Sequence, residues 1–347
     1  LADLVYRLLA KAPEDRPGYG HDVAREIEAI LEVEPSDDAP PVYLYRPEMV
    51  GREQPMAECK QAIEALRLGQ GGLTLITGPR GSGKTRFAIE LSTTIDGLRD
   101  VECVLVAHNP NSGDSQGQNP FTSVLAEVVD RCRELGPEFT RDAFEGRVAV
   151  LAKVYPPLLD LPGMEGVVPA PDLPAVSEAM RRIQAFLELM QRVFLGRPVA
   201  LILDEFDPRY LSYLQMIRAE NNTHPTPLWL FMTVGSDHRF VLDDFARHQV
   251  LTLAPLDREL TENLVQRALG LKKLPEALAD LVYDRSGGNP ALAIELVRRA
   301  VELGHLERDP TGQWLISGKT EAPALPQDTD AGRLMLSRIE TFPLASR

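Results

Sequence analysis

The feature that most constrains the fold of this 347-residue chain is a glycine-rich loop between an apolar run and a helix. Residues 73–77 lead directly into Gly78-Pro79-Arg80-Gly81-Ser82-Gly83-Lys84-Thr85, and a helical pattern follows from Arg86. In this strand-to-helix setting, G-x-x-x-x-G-K-T predicts a phosphate-binding loop. Its glycines let backbone N–H groups point inward, and the helix N-terminus adds partial positive charge. The sequence therefore predicts an α/β nucleotide-binding fold.

Different residues of the loop have different predicted tasks. Lys84 is expected to reach the β- and γ-phosphates, and Thr85 to ligate Mg²⁺ through its hydroxyl. The backbone around them completes the predicted cofactor-binding set, which is Gly78, Pro79, Arg80, Gly81, Ser82, Gly83 and Arg86. ATP or ADP with Mg²⁺ is the expected cofactor.

A second buried strand, predicted near residues 198–203, ends in two carboxylates, Asp204 and Glu205. Asp204 is expected to hold a magnesium-bound water, and Glu205 to polarise the attacking water for hydrolysis. With Lys84 they form the predicted catalytic set. Asp207 remains the alternative water-positioning base.

The next apolar strand, predicted near residues 227–233, ends in polar side chains that could sense the γ-phosphate. The sensor candidates are Thr233, Ser236 and Arg239. The alternative is that they only cap and turn the end of the strand.

Helices and short strands rich in Leu, Ile and Val alternate through the middle of the chain. This order predicts a doubly wound parallel sheet. The predicted ATPase core covers residues 49–254, a helical lid 255–304, and a hairpin or tail 305–347. Residues 32–48 are acidic and rich in proline, which indicates an extended linker. The proline-rich segment 155–176 is expected to be a surface insertion without chemistry.

Composition narrows the classes of partner. The chain has 37 Lys plus Arg against 51 Asp plus Glu, a formal net charge of -14. That surplus makes nucleic acid an unfavourable partner. No apolar run approaches the roughly 18 residues of a spanning helix and no signal-like start is present, which predicts a cytoplasmic protein without membrane contact. Three widely spaced cysteines suggest neither a disulfide framework nor a zinc site.

Two outer motifs, Val50-Gly51-Arg52-Glu53 and Gly287-Gly288-Asn289-Pro290, flank these elements. With the phosphate loop and Asp204-Glu205, the chain resembles the AAA+/STAND ATPase modules of bacterial regulators from about residue 50 to 303. The resemblance implies a five-stranded parallel sheet of the AAA+/ASCE type followed by a small helical lid. It also implies adenine contacts from Val50, Arg52 and Pro290.

The alternatives for two of these residues are structural: an exposed helix-start arginine at 52 and a first-turn helix proline at 290. The sequence departs from many STAND relatives after the sensor strand, where Thr233-Val234-Gly235-Ser236 stands in place of an arginine. Residues 78–81 and 204–207 also resemble replication-origin recognition subunits.

Residues 8–17, Leu-Leu-Ala-Lys-Ala-Pro-Glu-Asp-Arg-Pro, resemble the last helices of a eukaryotic-type Ser/Thr kinase domain. This resemblance covers residues 1–31 and implies a bacterial kinase fused to the ATPase, with the chain beginning inside the kinase domain. The kinase glycine loop, lysine strand and catalytic Asp loop have no counterpart here, so protein phosphorylation is not expected. Relatives of the ATPase module continue at their C-terminal side into helical repeats. This resemblance implies protein partners or self-association through such a C-terminal region.

The leading hypothesis is a Mg²⁺-ATP-dependent regulatory switch that hydrolyses slowly. The alternatives are a nucleotide-binding scaffold without turnover and a DNA-loading initiator ATPase.

Overall fold

Five short runs rich in Leu, Ile and Val form one parallel sheet in the order β2-β3-β4-β1-β5. Their bounds are Gly72–Gly78 for β1, Glu102–Ala107 for β2, Val199–Asp204 for β3, Leu228–Gly235 for β4 and His248–Thr252 for β5. Because β4 lies between β1 and β3, the strand before the glycine loop and the strand before Asp204-Glu205 are not neighbours.

Helices cover both faces of this sheet, as the burial of β3 and β4 requires. On one face α1 (Glu53–Arg67) and α2 (Lys84–Asp96) pack against the strands. The other face shares a core with α3 to α7, which are Pro120–Leu135, Pro137–Phe144, Val148–Leu151, Ala175–Val193 and Leu211–Thr223. The predicted doubly wound five-stranded sheet is confirmed.

The computed structural model describes residues 47–107, 120–164, 166–223, 227–236, 248–271, 273–302, 306–308 and 314–316, together with Leu4, Val5, Leu8, Val23, Glu26, Ile27, Ile30 and Leu31. They separate into two compact units. We call Gly51–Ala254 the sheet unit. The helical unit comprises the residues up to Val50 and those from Pro255 onward.

Three helices form the core of the helical unit: α8 (Arg258–Leu269), α9 (Glu276–Ser286) and α10 (Pro290–Glu302). An antiparallel pair, β6 (Leu306–Arg308) and β7 (Trp314–Ile316), follows. Asp257 begins α8 as its N-cap, since its Oδ1 accepts the Leu260 N–H at 2.8 Å. In the described part of the chain, no helix is long and apolar enough to cross a membrane.

The proline-rich segment 155–176 differs in part from the expectation. The chain before the proline-rich segment forms two short helices, α4 and α5, because Gly146 adopts a φ of 72° between them. The first part of the proline-rich segment is not a surface insertion, since Leu158, Leu161 and Met164 are buried in the sheet-unit core. Only its second part, from Val168 to Val176, is largely exposed.

Most of the predicted N-terminal hairpin, linker and C-terminal tail lies outside the described residues. The eight described residues before residue 32 are all helical. Leu4 is buried, whereas Val5, Leu8, Ile30 and Leu31 are exposed. These facts leave the kinase resemblance a prediction.

A buried threonine joins three strands of the sheet. Thr74 Oγ1 accepts a hydrogen bond from Trp229 Nε1 at 2.9 Å and another from Gln249 Nε2 at 2.8 Å. This pairing fixes the Trp229 indole directly over Gly72, where an added Cβ would lie 2.7 Å from a ring carbon. Gly72 is therefore required by the close approach of Trp229.

We expect Gly72→Ala to destabilise the sheet unit by about 1–3 kcal/mol, because the indole must move out of its hydrogen-bonded position. Urea unfolding followed by circular dichroism measures this change. Gly97→Ala is the matched control, since Gly97 has a φ of -66° and its nearest neighbouring atom would lie 3.4 Å from the new Cβ. Equal stability of the two variants would contradict the proposed constraint.

Candidate functional site

The parallel sheet brings the predicted site residues to a single edge. The carboxyl ends of parallel strands meet at the same edge, which is where open α/β sheets bind ligands. Here β1 ends in the glycine loop, β3 ends in Asp204, and β4 ends in Gly235. The register pairs Gly78 with Gly235 across β1 and β4.

The glycine loop has the backbone geometry that its sequence predicts. Gly81 and Gly83 adopt φ angles of 81° and 93°, in the left-handed region that favours glycine. A Cβ on Gly78 would lie 2.6 Å from Ser82 Oγ. These glycines therefore let the loop close on itself and lead directly into α2 at Lys84.

Lys84 folds back across the loop. Its Nζ donates hydrogen bonds to the carbonyl oxygens of Gly78 at 2.9 Å and Pro79 at 3.1 Å. The ammonium group is thereby held over the loop, where it can contact a polyphosphate bound to the loop. Beside it, Thr85 is exposed.

The residues of the loop fit a phosphate-bearing ligand. Ser82 Oγ and Arg86 Nε are buried and have no hydrogen-bond partner within the described ranges. No side chain in those ranges caps the N-terminus of α2. Unpaired buried polar atoms are costly, and phosphate oxygens are acceptors that such groups can use. Arg86 also forms an ion pair with Glu90 through its terminal nitrogen.

Arg52 is attached to the same loop. Its Nη2 donates to the Ser82 carbonyl oxygen at 3.2 Å, and its Nη1 to the Gly51 carbonyl oxygen at 3.4 Å. The side chain is buried, and burial lowers the pKa of its guanidinium group although Glu53 opposes this shift. The alternative of an exposed helix-start arginine is therefore wrong, and no signal in the sequence indicated the contact with Ser82.

The other two predicted adenine contacts belong to the helical unit. Val50 is buried in its core, and Pro290 is the first residue of α10, a position that favours proline. Their contact with adenine stays a prediction, as does that of Arg52.

The Gly287-Gly288-Asn289 turn before Pro290 has a structural explanation. The Gly288 carbonyl accepts the Leu256 N–H at 2.8 Å, and Asn289 Oδ1 accepts the Leu292 N–H at 3.1 Å. The first bond fastens the turn to the start of the helical unit, and the second caps α10.

The two carboxylates after β3 differ in environment. Asp204 is buried and Glu205 is exposed. Glu205 adopts a φ of 53°, and its N–H donates to Thr233 Oγ1 at 2.8 Å. Thr233 Oγ1 also lies 2.5 Å from Asp204 Oδ1. The hydrogen bonds of Thr233 were not foreseen from its position in the sequence.

Both carboxylate oxygens of Asp207, the alternative base, accept hydrogen bonds from Arg209. Its Oδ1 accepts the Arg209 N–H at 2.8 Å, and its Oδ2 accepts the Arg209 Nε–H at 2.7 Å. This engagement of both oxygens favours Glu205 for orienting water. The assignment of that role remains a prediction.

The two described sensor candidates differ in exposure. Thr233 is fully buried, and Ser236 is exposed just after β4. Arg239 lies outside the described residues. Sensing of a γ-phosphate by any of the three stays a prediction.

Solved structures similar to this chain include a Signal Transduction ATPase with Numerous Domains (STAND) protein with a tetratricopeptide repeat sensor from Pyrococcus horikoshii. It is 14% identical, with a TM-score of 0.43, over 88% of this chain and 35% of that chain. The Aeropyrum pernix ORC1 protein in complex with DNA is 15% identical, with a TM-score of 0.43, over 89% and 71% of the two chains. Drosophila ORC bound to DNA is 15% identical, with a TM-score of 0.43, over 82% and 69%.

The chain thus spans only about a third of the length of the STAND protein. No curated protein sequence matches it at a significant level. The model of the family described as AAA ATPase domain matches residues 48–242, a range that contains the glycine loop and the carboxylates after β3. Since this range is more than half of the sequence, the chain belongs to the AAA ATPase domain family.

Proposed function

We propose that this chain is a Mg²⁺-ATP-binding module that hydrolyses ATP slowly and acts as a regulatory switch in a signalling protein. The observation that carries the proposal is the loop at the end of β1, where an uncapped helix N-terminus and the unpartnered Ser82 Oγ accompany Lys84. Family membership implies nucleotide binding, usually with Mg²⁺. Hydrolysis and the switch function go beyond this membership.

In the proposed mechanism, the loop binds the polyphosphate through its backbone N–H groups and the Lys84 ammonium. Thr85, through its hydroxyl, and Asp204, through its carboxylate, would hold Mg²⁺. Bound Mg²⁺ supplies positive charge that offsets the negative charge of the phosphate oxygens. Glu205 accepts a hydrogen bond from the attacking water and thereby orients it.

The switch part of the proposal assigns the reporting step to the helical unit. In STAND-like modules the lid follows the nucleotide state, and we propose the same for α8 to α10. The kinase fusion, suggested by the resemblance of residues 8–17, would link this switch to a phosphorylation signal. Sequencing the preceding part of the native gene tests the fusion directly, because a lysine strand and a His-Arg-Asp-type loop should be encoded there.

Glu205→Gln tests hydrolysis. The amide keeps the size of the side chain but loses the negative acceptor, so we expect ATP affinity within a factor of about two and phosphate release slowed about 100-fold. Asp207→Asn is the matched control and should hydrolyse at close to the parental rate, because Asp207 is engaged by Arg209. Phosphate release is measured under single-turnover conditions.

The same assay separates the alternatives. Parental turnover by Glu205→Gln together with loss in Asp207→Asn would transfer the role to Asp207. A parent protein that binds ATP but releases no phosphate would be the scaffold without turnover. Tight binding of duplex DNA at about 150 mM salt by the parent protein would favour the DNA-loading initiator instead.

A further inference from the structure

We propose that Thr233 is a positioning residue that fixes the turn of Asp204, Glu205 and Phe206, and that its hydroxyl serves this turn and not a γ-phosphate. The inference rests on the proposed function of the two carboxylates. It assigns to Thr233 a task different from nucleotide sensing.

Thr233 forms hydrogen bonds to the β3 side just beyond the point where the regular pairing of β3 with β4 ends. The last register pair of these strands is Leu203 with Met232. Beyond it, Thr233 alone contacts three successive residues: its Oγ1 bonds Asp204 Oδ1 and the Glu205 N–H, and its carbonyl accepts the Phe206 N–H at 2.9 Å. One residue of β4 therefore anchors the whole turn after β3.

Chemistry fixes the direction of this hydrogen-bond chain. A backbone N–H can only donate, so Thr233 Oγ1 must accept from Glu205. The single hydroxyl proton then points to Asp204 Oδ1, which accepts it as a carboxylate. Because that proton is already in use, Thr233 has no second proton to offer a phosphate oxygen.

The turn needs such an anchor because its backbone is strained. Among the residues that the structure describes, only Leu195 and Glu205 have a positive φ without being glycine. A conformation of this kind persists when its surroundings hold it, and it is enriched at active sites. At Glu205 this positive φ turns the chain after β3, where Asp204 is buried and the adjacent Glu205 is exposed to solvent.

The consequence for the site is a fixed orientation of both carboxylates. The Thr233 hydroxyl donates to Asp204 Oδ1 and thereby restrains the rotation of this carboxylate, through which Asp204 would hold a metal. The Thr233 hydroxyl oxygen also accepts the Glu205 N–H and so fixes the backbone of Glu205. The position of this backbone determines where the Glu205 side chain can orient a water molecule. Loss of the hydroxyl should therefore disturb metal use and turnover together.

Thr233→Val tests this role, because valine keeps the shape of the side chain and removes the hydroxyl. We expect phosphate release to slow about 100-fold through misplacement of Glu205. The gain in ATP affinity on adding Mg²⁺ should shrink, whereas the ratio of ATP to ADP affinity in EDTA should stay parental. Thr233→Ser should restore all of these properties to within about threefold.

Hydrogen–deuterium exchange of the nucleotide-free proteins gives a readout independent of activity. The Glu205 amide should exchange at least tenfold faster in Thr233→Val than in the parent protein and in Thr233→Ser. Thr74→Val is the matched control, since Thr74 is also fully buried in the sheet and its hydroxyl also accepts two hydrogen bonds. It should leave Glu205 exchange and the Mg²⁺ dependence unchanged.

Parental exchange at Glu205 in Thr233→Val would overturn the inference, as would a lowered ATP to ADP ratio in EDTA with unchanged Mg²⁺ dependence. Absence of nucleotide binding by the parent protein would instead refute the proposed function. The exchange measurement would still decide whether Thr233 anchors the turn.

Discussion

Lys84→Ala should abolish ATP binding, with affinity falling at least about 100-fold, which corresponds to about 2.7 kcal/mol. The ammonium group is the positive side chain held over the loop by the Gly78 and Pro79 carbonyls. Alanine removes this charge and leaves α2 able to form. The loss is therefore expected in binding, measured by calorimetric titration with Mg²⁺-ATP, and not in the melting temperature of the nucleotide-free protein.

Lys60→Ala is the matched control for Lys84. Lys60 is an exposed lysine of α1 in the same sheet unit, so its loss changes the net charge equally. ATP affinity should stay within about twofold of the parent. A Lys84→Ala protein that also stayed within twofold, or about 0.4 kcal/mol, would show that the nucleotide binds elsewhere.

Gly288→Ala should unfold or severely loosen the helical unit. Gly288 has a φ of 75°, and an added Cβ would lie 1.9 Å from the Leu256 carbonyl oxygen, a backbone atom that cannot rotate away. The turn must then open and lose the hydrogen bond from the Leu256 N–H to the Gly288 carbonyl. We expect a loss of about 4 kcal/mol or more, since such values arise from severe strain and lost packing together.

Gly287→Ala separates steric overlap from backbone conformation. Gly287 also has a positive φ, of 55°, but a Cβ there would meet no atom within 4 Å. Its substitution should cost only about 1 kcal/mol. Urea unfolding measures the loss of unfolding free energy in both variants. Equal losses would mean that the conformation of the turn, and not the contact with Leu256, requires glycine at these positions.

The sequence predicted those parts of the site that depend on one continuous stretch of chain. The glycine loop requires a strand before it and a helix after it, so residues 78–86 fix their own surroundings. The two carboxylates were similarly found because they end an apolar run that can only be a buried strand. Both predictions rest on local chemistry, and β1, α2 and β3 have the expected bounds to within two residues.

Contacts between distant stretches could not be read from the sequence. The bond from Arg52 to the Ser82 carbonyl spans 30 residues, and the bond from Thr233 to Asp204 spans 29. Each depends on strand order and register, which alternation of helices and strands leaves open. The burial of Leu158, Leu161 and Met164 was missed for a different reason, because prolines around them hide the helical and strand periodicities that usually reveal a core position.

The Trp229 indole over Gly72 is an intrinsic fluorescent probe of the sheet unit. The sequence has two tryptophans, and they are divided between the units: Trp229 belongs to β4 and Trp314 to β7. Trp229 is buried, and its nitrogen is hydrogen-bonded to Thr74, so its emission reports on the packing of β1, β4 and β5 near the amino end of β1. In a Trp314→Phe protein, tryptophan fluorescence arises from the sheet unit alone, and in a Trp229→Phe protein from the helical unit alone. Titration of each of the two proteins with the same nucleotide therefore records the response of each unit separately and shows which unit responds at the lower nucleotide concentration.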